Sequence, residues 1–231
     1  MAGKTLNHYT LIKITDPFWL LDPDQQKQNL LAMTQAYQMV GAGINFYQVS
    51  PLKPEIDLMV WNALPLEKNS AEAEFFDRLG RAQSSTRRYF QPVQALWGYT
   101  KPSVYSKASS SQEIDPFAPH RETYLVLYPF VKTIRWYLLG KDTRQGMMNE
   151  HIRIGHQYPD IKQLLLYSFG VQDQEFIVVY EMEDLYRFSE LVNELRGSNV
   201  REYTQRDTPV YTAVWRSPSE LSNLFQGKTE Q

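Results

Sequence analysis

The chain has no cysteine. Disulfides, thiolate-ligated zinc, iron–sulfur clusters and cysteine nucleophiles are therefore excluded together, and a reducing compartment suits the sequence. Excess charge is also missing: 24 Lys and Arg against 26 Asp and Glu leave a net charge of −2. With the basic residues spread along the chain, no electrostatic footprint for nucleic acid or an anionic membrane surface is present. Long apolar runs are absent too, and Met1–Asn7 lacks a basic stretch leading into an apolar core. A span needs roughly 18 apolar residues, so no membrane partner is expected, and the location expected is the cytoplasm.

What is present is an ordinary globular balance over 231 residues, 42% hydrophobic and 22% charged, enough to bury a core. Aromatic residues reach 13%, with 15 Tyr and 5 Trp. That is more than a core of this size needs, and it points towards a flat or redox-active ligand.

Strand-like runs at 8–14, 44–49 and 57–63 are punctuated by Gly43 and Pro51. Between them, residues 22–40 carry Leu30, Leu31, Met33 and Tyr37 at helical spacing behind an Asp-Pro-Asp start. A second helix is expected over 70–84, capped by Ser70, and a strand over 95–105. Residues 107–119 are rich in Ser, Pro and acidic residues, the composition of an exposed connection. The pattern then restarts: strand 123–130, helix 142–158, strands 163–169 and 175–181, helix 184–195, strand 210–215. Each half reads β-α-β-β-α-β, the ferredoxin-like order, so the fold class expected is α+β. Two such units, 1–106 and 122–231 joined by a linker at 107–121, would pack as a dimeric α+β barrel within one chain.

His151 lies on a helix with Met147 and Met148 one turn before it, on or near the apolar face. It reads either as a core histidine or as a metal or haem ligand. His156, five residues on, points about 140° away at 100° per residue, so the pair does not make a two-histidine metal site. Tyr128 and Lys132 end an apolar strand and place a phenol and an ammonium near the rim of whatever the sheet faces. They read as a strand-end pair or as an acid–base or electron-donating pair. Trp136 and Tyr137 follow, with core packing as the default explanation.

The stretch 124–181 resembles the second half of chlorite dismutase-like proteins, and the coproheme decarboxylases among them most. The resemblance rests on Tyr128-Pro129, Lys132, Trp136-Tyr137, Glu150-His151, Ile154-Gly155, Tyr158, Gln163 and the Phe169-Gly170 turn with Asp173 and Phe176. It implies that His151 ligates the iron of haem, that Tyr128 forms a reactive radical, and that Lys132 and Trp136 belong to the pocket. The distal position falls at Gln163, or at Leu164 if a gap near Pro159 is placed differently. True chlorite dismutases carry arginine there, and a large group of decarboxylases carries glutamine. Two positions depart from the pattern: His156 stands where an arginine touching a propionate is expected, and Glu202 resembles the acid that bonds the proximal imidazole in chlorite dismutases.

The activity implied is peroxide-dependent decarboxylation of coproheme propionates to vinyl groups. Iron coproporphyrin III is then the substrate, haem b the product, hydrogen peroxide the co-substrate and a homopentamer the assembly. The alternatives are a chlorite dismutase or peroxidase that keeps haem b, a non-catalytic haem carrier, and a ferredoxin-like interaction protein without cofactor.

Overall fold

The structure, a computed structural model, describes residues 4–67, 71–102, 105 and 111–225. The expected cap at Ser70 and residues 107–110 of the expected linker lie outside them. The chain forms two compact units. The first comprises residues 1–97, 116–119 and 213–231, and the second 98–115 and 120–212.

The first unit opens with β1 (Thr5–Ile14), followed by α1 (Asp16–Trp19), α2 (Pro23–Gln38), β2 (Gly43–Gln48), β3 (Leu58–Pro65), α3 (Ala71–Thr86) and the start of β4 (Phe90–Thr100). Its strands run antiparallel in the order β4-β1-β3-β2, with β1 registered on β3 from Thr5 opposite Pro65 to Ile12 opposite Leu58. Almost all of β1 is buried, polar residues included. Those polar groups are held locally: Trp61 Nε1 donates to Asn7 Oδ1 at 3.0 Å, and Asn7 Nδ2 donates to Thr5 Oγ1 at 2.8 Å. Buried polar groups need such partners because an unsatisfied one costs about 1–3 kcal/mol.

The second unit contains β5 (Tyr124–Lys132), α4 (Ile134–Leu138), α5 (Lys141–Gly155), β6 (Lys162–Tyr167), β7 (Phe176–Met182), α6 (Leu185–Arg196), a 3₁₀ turn (Asn199–Tyr203) and β8 (Thr204–Arg206). Here β7 pairs with both β6 and β5, and β8 covers the end of β5. The period of two along each strand sends Val126 and Tyr128, Val178 and Tyr180, to one face. Ile154 of α5 and Phe188 and Leu191 of α6 pack against that face to make the core. Asp184 starts α6 by accepting the N–H groups of Tyr186 and Arg187 at 2.8 and 3.2 Å, the usual service of an N-cap carboxylate.

The α+β class and the antiparallel sheet are as expected, but the units do not follow the chain-order halves 1–106 and 122–231. Strand β4 passes into the second unit, where Tyr99 and Thr100 pair with Tyr167 and Leu166 of β6. Strand β9 (Tyr211–Arg216) leads back to the first unit, where Val214, Trp215 and Arg216 pair with Gln48, Tyr47 and Phe46 of β2, and α7 (Pro218–Asn223) follows. The physical reason is edge satisfaction: the open edges of β6 and β2 are closed by strands from elsewhere in sequence. β4 also begins earlier than expected, because Pro92 and the flanking glutamines disguise its first half. Helix α5 stops at Gly155, before the expected 158, since Pro159 disfavours helix at the residue before it. Gln112 ties its end to the turn that follows, its Nε2 donating to Gly155 O at 3.3 Å, Tyr158 O at 2.8 Å and Ile161 O at 3.1 Å.

Among the described residues, no helix is long and apolar enough to cross a membrane.

Candidate haem site in the second unit

Helix α5 is long enough for an amphipathic surface helix to bury a continuous stripe, yet Ile154 is its one fully buried residue. Arg144, Met147, Met148 and His151, spaced along one side, are only half buried, and a Cβ on Gly155 would meet no atom within 4 Å. Ile154 thus packs α5 on the sheet at its C-terminal turn, while the side that carries Arg144, Met147, Met148 and His151 is half exposed and keeps open space at Gly155.

His151 stands on that side. Its Nδ1 is buried with no hydrogen-bond partner, and among the described residues neither ring nitrogen bonds to protein. Burial first, and the positive charge of Lys132 second, bring its pKa down to about 4 against the opposing pull of Glu150. The imidazole is therefore neutral at physiological pH, the form that binds a metal. Among the described residues no three His, Asp or Glu side chains gather to hold an ion. A metal at His151 would bring its remaining ligands with it, as an iron porphyrin does.

Strand pairing places the other candidates. Val126, Tyr180 and Gln163 are cross-strand neighbours, as are Tyr128, Val178 and Leu165. Paired residues share a face, so Tyr128 and Gln163 lie on the side that carries α5 and α6. Gln163 is exposed there, whereas Leu164 is buried on the opposite face. Of the two residues considered for the distal position, Gln163 is the one on the helix side. Its backbone is pinned by Gln112 and Ile114, with N–H···O distances of 2.7 and 3.0 Å.

Tyr128 is largely buried, and desolvation raises its phenol above the usual value. A hydrogen bond with Tyr180 opposes that shift, and the charges of Asp207, Arg196 and Arg201 act on it more weakly. Lys132 donates from Nζ to Thr204 Oγ1 at 3.2 Å and sits 4.9 Å over the ring of buried Trp136, a cation–π contact. Burial first, and the charge of Arg201 second, bring the Lys132 pKa down to about 8, against the opposing pull of Glu175 and Asp207. Asp207 in turn accepts from Arg201 and Arg196 at 2.7 and 2.8 Å. Glu175 fixes the corner, accepting the Lys132 backbone N–H at 2.8 Å and the Tyr137 hydroxyl at 2.5 Å.

Tyr128, Lys132, Trp136, His151 and Gln163 thus belong to one unit, with Lys132 electrostatically linked to His151. Two candidates stand apart. His156 is exposed at the C-cap of α5, and Glu202 is exposed on the 3₁₀ turn with no bond to His151. The acid beside His151, Glu150, instead accepts from Asn199 N and Nδ2 at 3.1 and 3.0 Å, tying α5 to that turn. Sequence reasoning missed Glu175, Thr204, Arg201 and Asp207, which approach Lys132 from more than 40 residues away. No local pattern marks them. Tyr180 had a signal: it breaks an otherwise apolar alternate-residue series in β7.

Residues 24–216 match the sequence model of the family described as chlorite dismutase. Over 172 residues the chain is 28% identical to the coproheme decarboxylase of Mycolicibacterium smegmatis, covering 72% of this chain and 70% of that protein. The fold matches a mutant chlorite dismutase from Candidatus Nitrospira defluvii with a TM-score of 0.81 at 18% identity, covering 96% and 95% of the two chains. The same organism's chlorite dismutase in complex with imidazole gives 0.79 at 20% identity, covering 96% and 94%.

Proposed function

This chain belongs to the chlorite dismutase family, and from that premise we propose that it binds haem-type iron porphyrins and decarboxylates iron coproporphyrin III with hydrogen peroxide, yielding haem b. The observation that carries the reading is the imidazole of His151, whose buried Nδ1 has no hydrogen-bond partner among the described residues, on a helix side with open space at Gly155, in the unit that holds Tyr128 and Lys132. Each turnover consumes a propionate, a peroxide and a proton, and releases a vinyl group, carbon dioxide and two waters.

When bound, the porphyrin's iron supplies the centre at which peroxide is reduced, and its propionates are the groups transformed. His151 would hold the iron through a neutral imidazole, which burial guarantees well below pH 7. Tyr128 keeps its phenolic hydrogen at neutral pH because burial disfavours the phenolate. In this reading it loses that hydrogen atom to the oxidant and regains one from the β-carbon of a propionate. The second electron follows to the oxidant as the C–C bond breaks and carbon dioxide leaves. Lys132, with a pKa near 8, is still mostly cationic at pH 7 and pairs with the carboxylate until it departs. Trp136 holds that ammonium by its ring face, and Gln163 lines the peroxide side without the arginine of chlorite dismutases. Neither His156 nor Glu202 is given a part, since both are exposed and neither bonds the imidazole. Cytoplasmic location and a homopentamer complete the proposal by family resemblance.

The test adds iron coproporphyrin III to the purified protein, titrates with hydrogen peroxide and follows mass and absorbance. Stepwise loss of two carboxylates through a three-propionate intermediate is expected. Tyr128→Phe should bind the porphyrin unchanged and lose no carbon dioxide. Tight binding with no mass change in the parent protein would replace this reading with a resident-haem peroxidase, dismutase or carrier. Failure to bind would return His151 to an ordinary core role.

A further inference from the structure

Arg144 carries an unexplained charge. Its Nε is buried without a hydrogen-bond partner, and among the described residues no carboxylate pairs with its guanidinium. A guanidinium is always charged and offers five donors in a planar fork. Leaving one of those donors shut away from both water and protein costs about 1–3 kcal/mol. Such a side chain is normally repaid by a ligand or relocated to solvent.

Its place on α5 says which ligand. Arg144 precedes His151 by seven residues, which at 100° per residue brings it back to within about 20° of the same helix side, and at 1.5 Å per residue sets it about 10.5 Å along the axis. Met147 and Met148 lie between them, half buried. The side chain reaches towards α4, where its charge acts on Tyr137, whose hydroxyl is already committed to Glu175. A flat macrocycle centred on His151 would have its acidic arms at about that distance from the centre.

We propose that Arg144 is a carboxylate subsite of the porphyrin pocket, binding a propionate arm of the tetrapyrrole while His151 takes the iron. The inference rests on the haem-site reading above and deepens it. Lys132 and Arg144 then serve different arms: Lys132 at the end of β5 beside Tyr128, Arg144 two helical turns from the iron ligand. A tetrapyrrole with four carboxylates can engage both cations at once. A porphyrin whose carboxylates are esterified can engage neither.

The test is equilibrium binding without peroxide, read from the Soret band of the full-length protein. The probes are iron coproporphyrin III and its tetramethyl ester. Arg144→Met should weaken binding of the free acid roughly 10- to 100-fold, the loss of a charged hydrogen bond. Binding of the ester should be unchanged. Arg144→Lys, which keeps the charge but not the fork, should fall between and covers the case in which the Met variant does not fold. An equal loss for acid and ester, or no loss for either, would overturn the proposal. So would a change of oligomer mass in light scattering with unaltered affinity for the acid, which would give Arg144 a neighbouring copy as its partner. The readout separates this inference from the reaction proposed above. A protein that binds as described yet releases no carbon dioxide leaves Arg144 in place and removes the decarboxylase, whereas a parent chain that takes up neither probe removes both.

Discussion

At the scale of single residues, the second unit shows how little a side chain's type says about its chemistry until its neighbours are known. Lys132 would titrate near 10.5 in water, but burial and Arg201 bring it to about 8. Glu175 accounts for much of the local geometry by accepting both the Lys132 N–H and the Tyr137 hydroxyl. Glu175→Ala removes one acceptor from two donors, so a destabilisation of about 1–3 kcal/mol is expected, readable as a lower urea midpoint with unchanged slope. The same substitution removes a negative charge beside Lys132, so its ammonium should titrate lower still. Glu175→Gln, which can still accept, should recover much of the stability without restoring the charge.

At the scale of elements, each helix is placed by a different device. Helix α6 is fixed by its cap and by Phe188 and Leu191 in the core. Asp184→Ala should therefore cost about 1 kcal/mol, within the range found for N-cap carboxylates, and hydrogen exchange should show the loss first at the Tyr186 and Arg187 amides. Helix α5 is anchored at its C-terminus by Ile154 and Gln112, and through Glu150 to Asn199. Its earlier turns are half exposed on the side that bears Arg144 and His151. A helix secured at one end beside open space is the arrangement a flat ligand requires. The periodicity of α5 was legible in the sequence, but the open space at Gly155 was not, since it depends on what the rest of the fold brings there.

At the scale of the whole molecule, both units hold a histidine neutral by burial. His8 in β1 is 4% exposed, and burial takes its pKa from 6.5 to about 4. His151 behaves alike in the second unit. Both folded-state values lie below the unfolded one, so the unfolded chain binds more protons between pH 6.5 and 4. Stability is then fully present above about pH 6.5 and declines as pH falls towards 4. His8 alone accounts for a loss on the order of 3 kcal/mol over that window. Urea denaturation at pH 7.5 and 4.5 should show this decline, and His8→Gln should flatten it while lowering stability at pH 7.5. The aromatic excess also divides at this scale. Much of it is ordinary packing, as in the Tyr9–Trp61 stack at 5.3 Å and the Phe18, Phe90 and Phe225 contacts of the first unit. A smaller share, Phe130 stacked on Phe176 at 4.6 Å with Tyr167 and Phe169 beside them, lies in the second unit with the site.

The sequence by itself determined the α+β class, the position of most helices and strands within a few residues, and the identities of Tyr128, Lys132, Trp136 and His151 as a group worth attention. These follow from local properties: periodicity, turn residues, and motif order along β5 and α5. Tertiary structure alone decided that β4 and β9 each pass between the two units, that Gln163 rather than Leu164 lies on the helix side of β6, and that Glu202 and His156 are exposed and unbonded to the imidazole. It alone brought Thr204, Arg201 and Asp207 to bear on Lys132, and left Arg144 Nε buried with no hydrogen-bond partner among the described residues. The reason is common to all of these. Burial, pairing register and electrostatic environment depend on residues distant in sequence, and no window along the chain contains both members of such a pair.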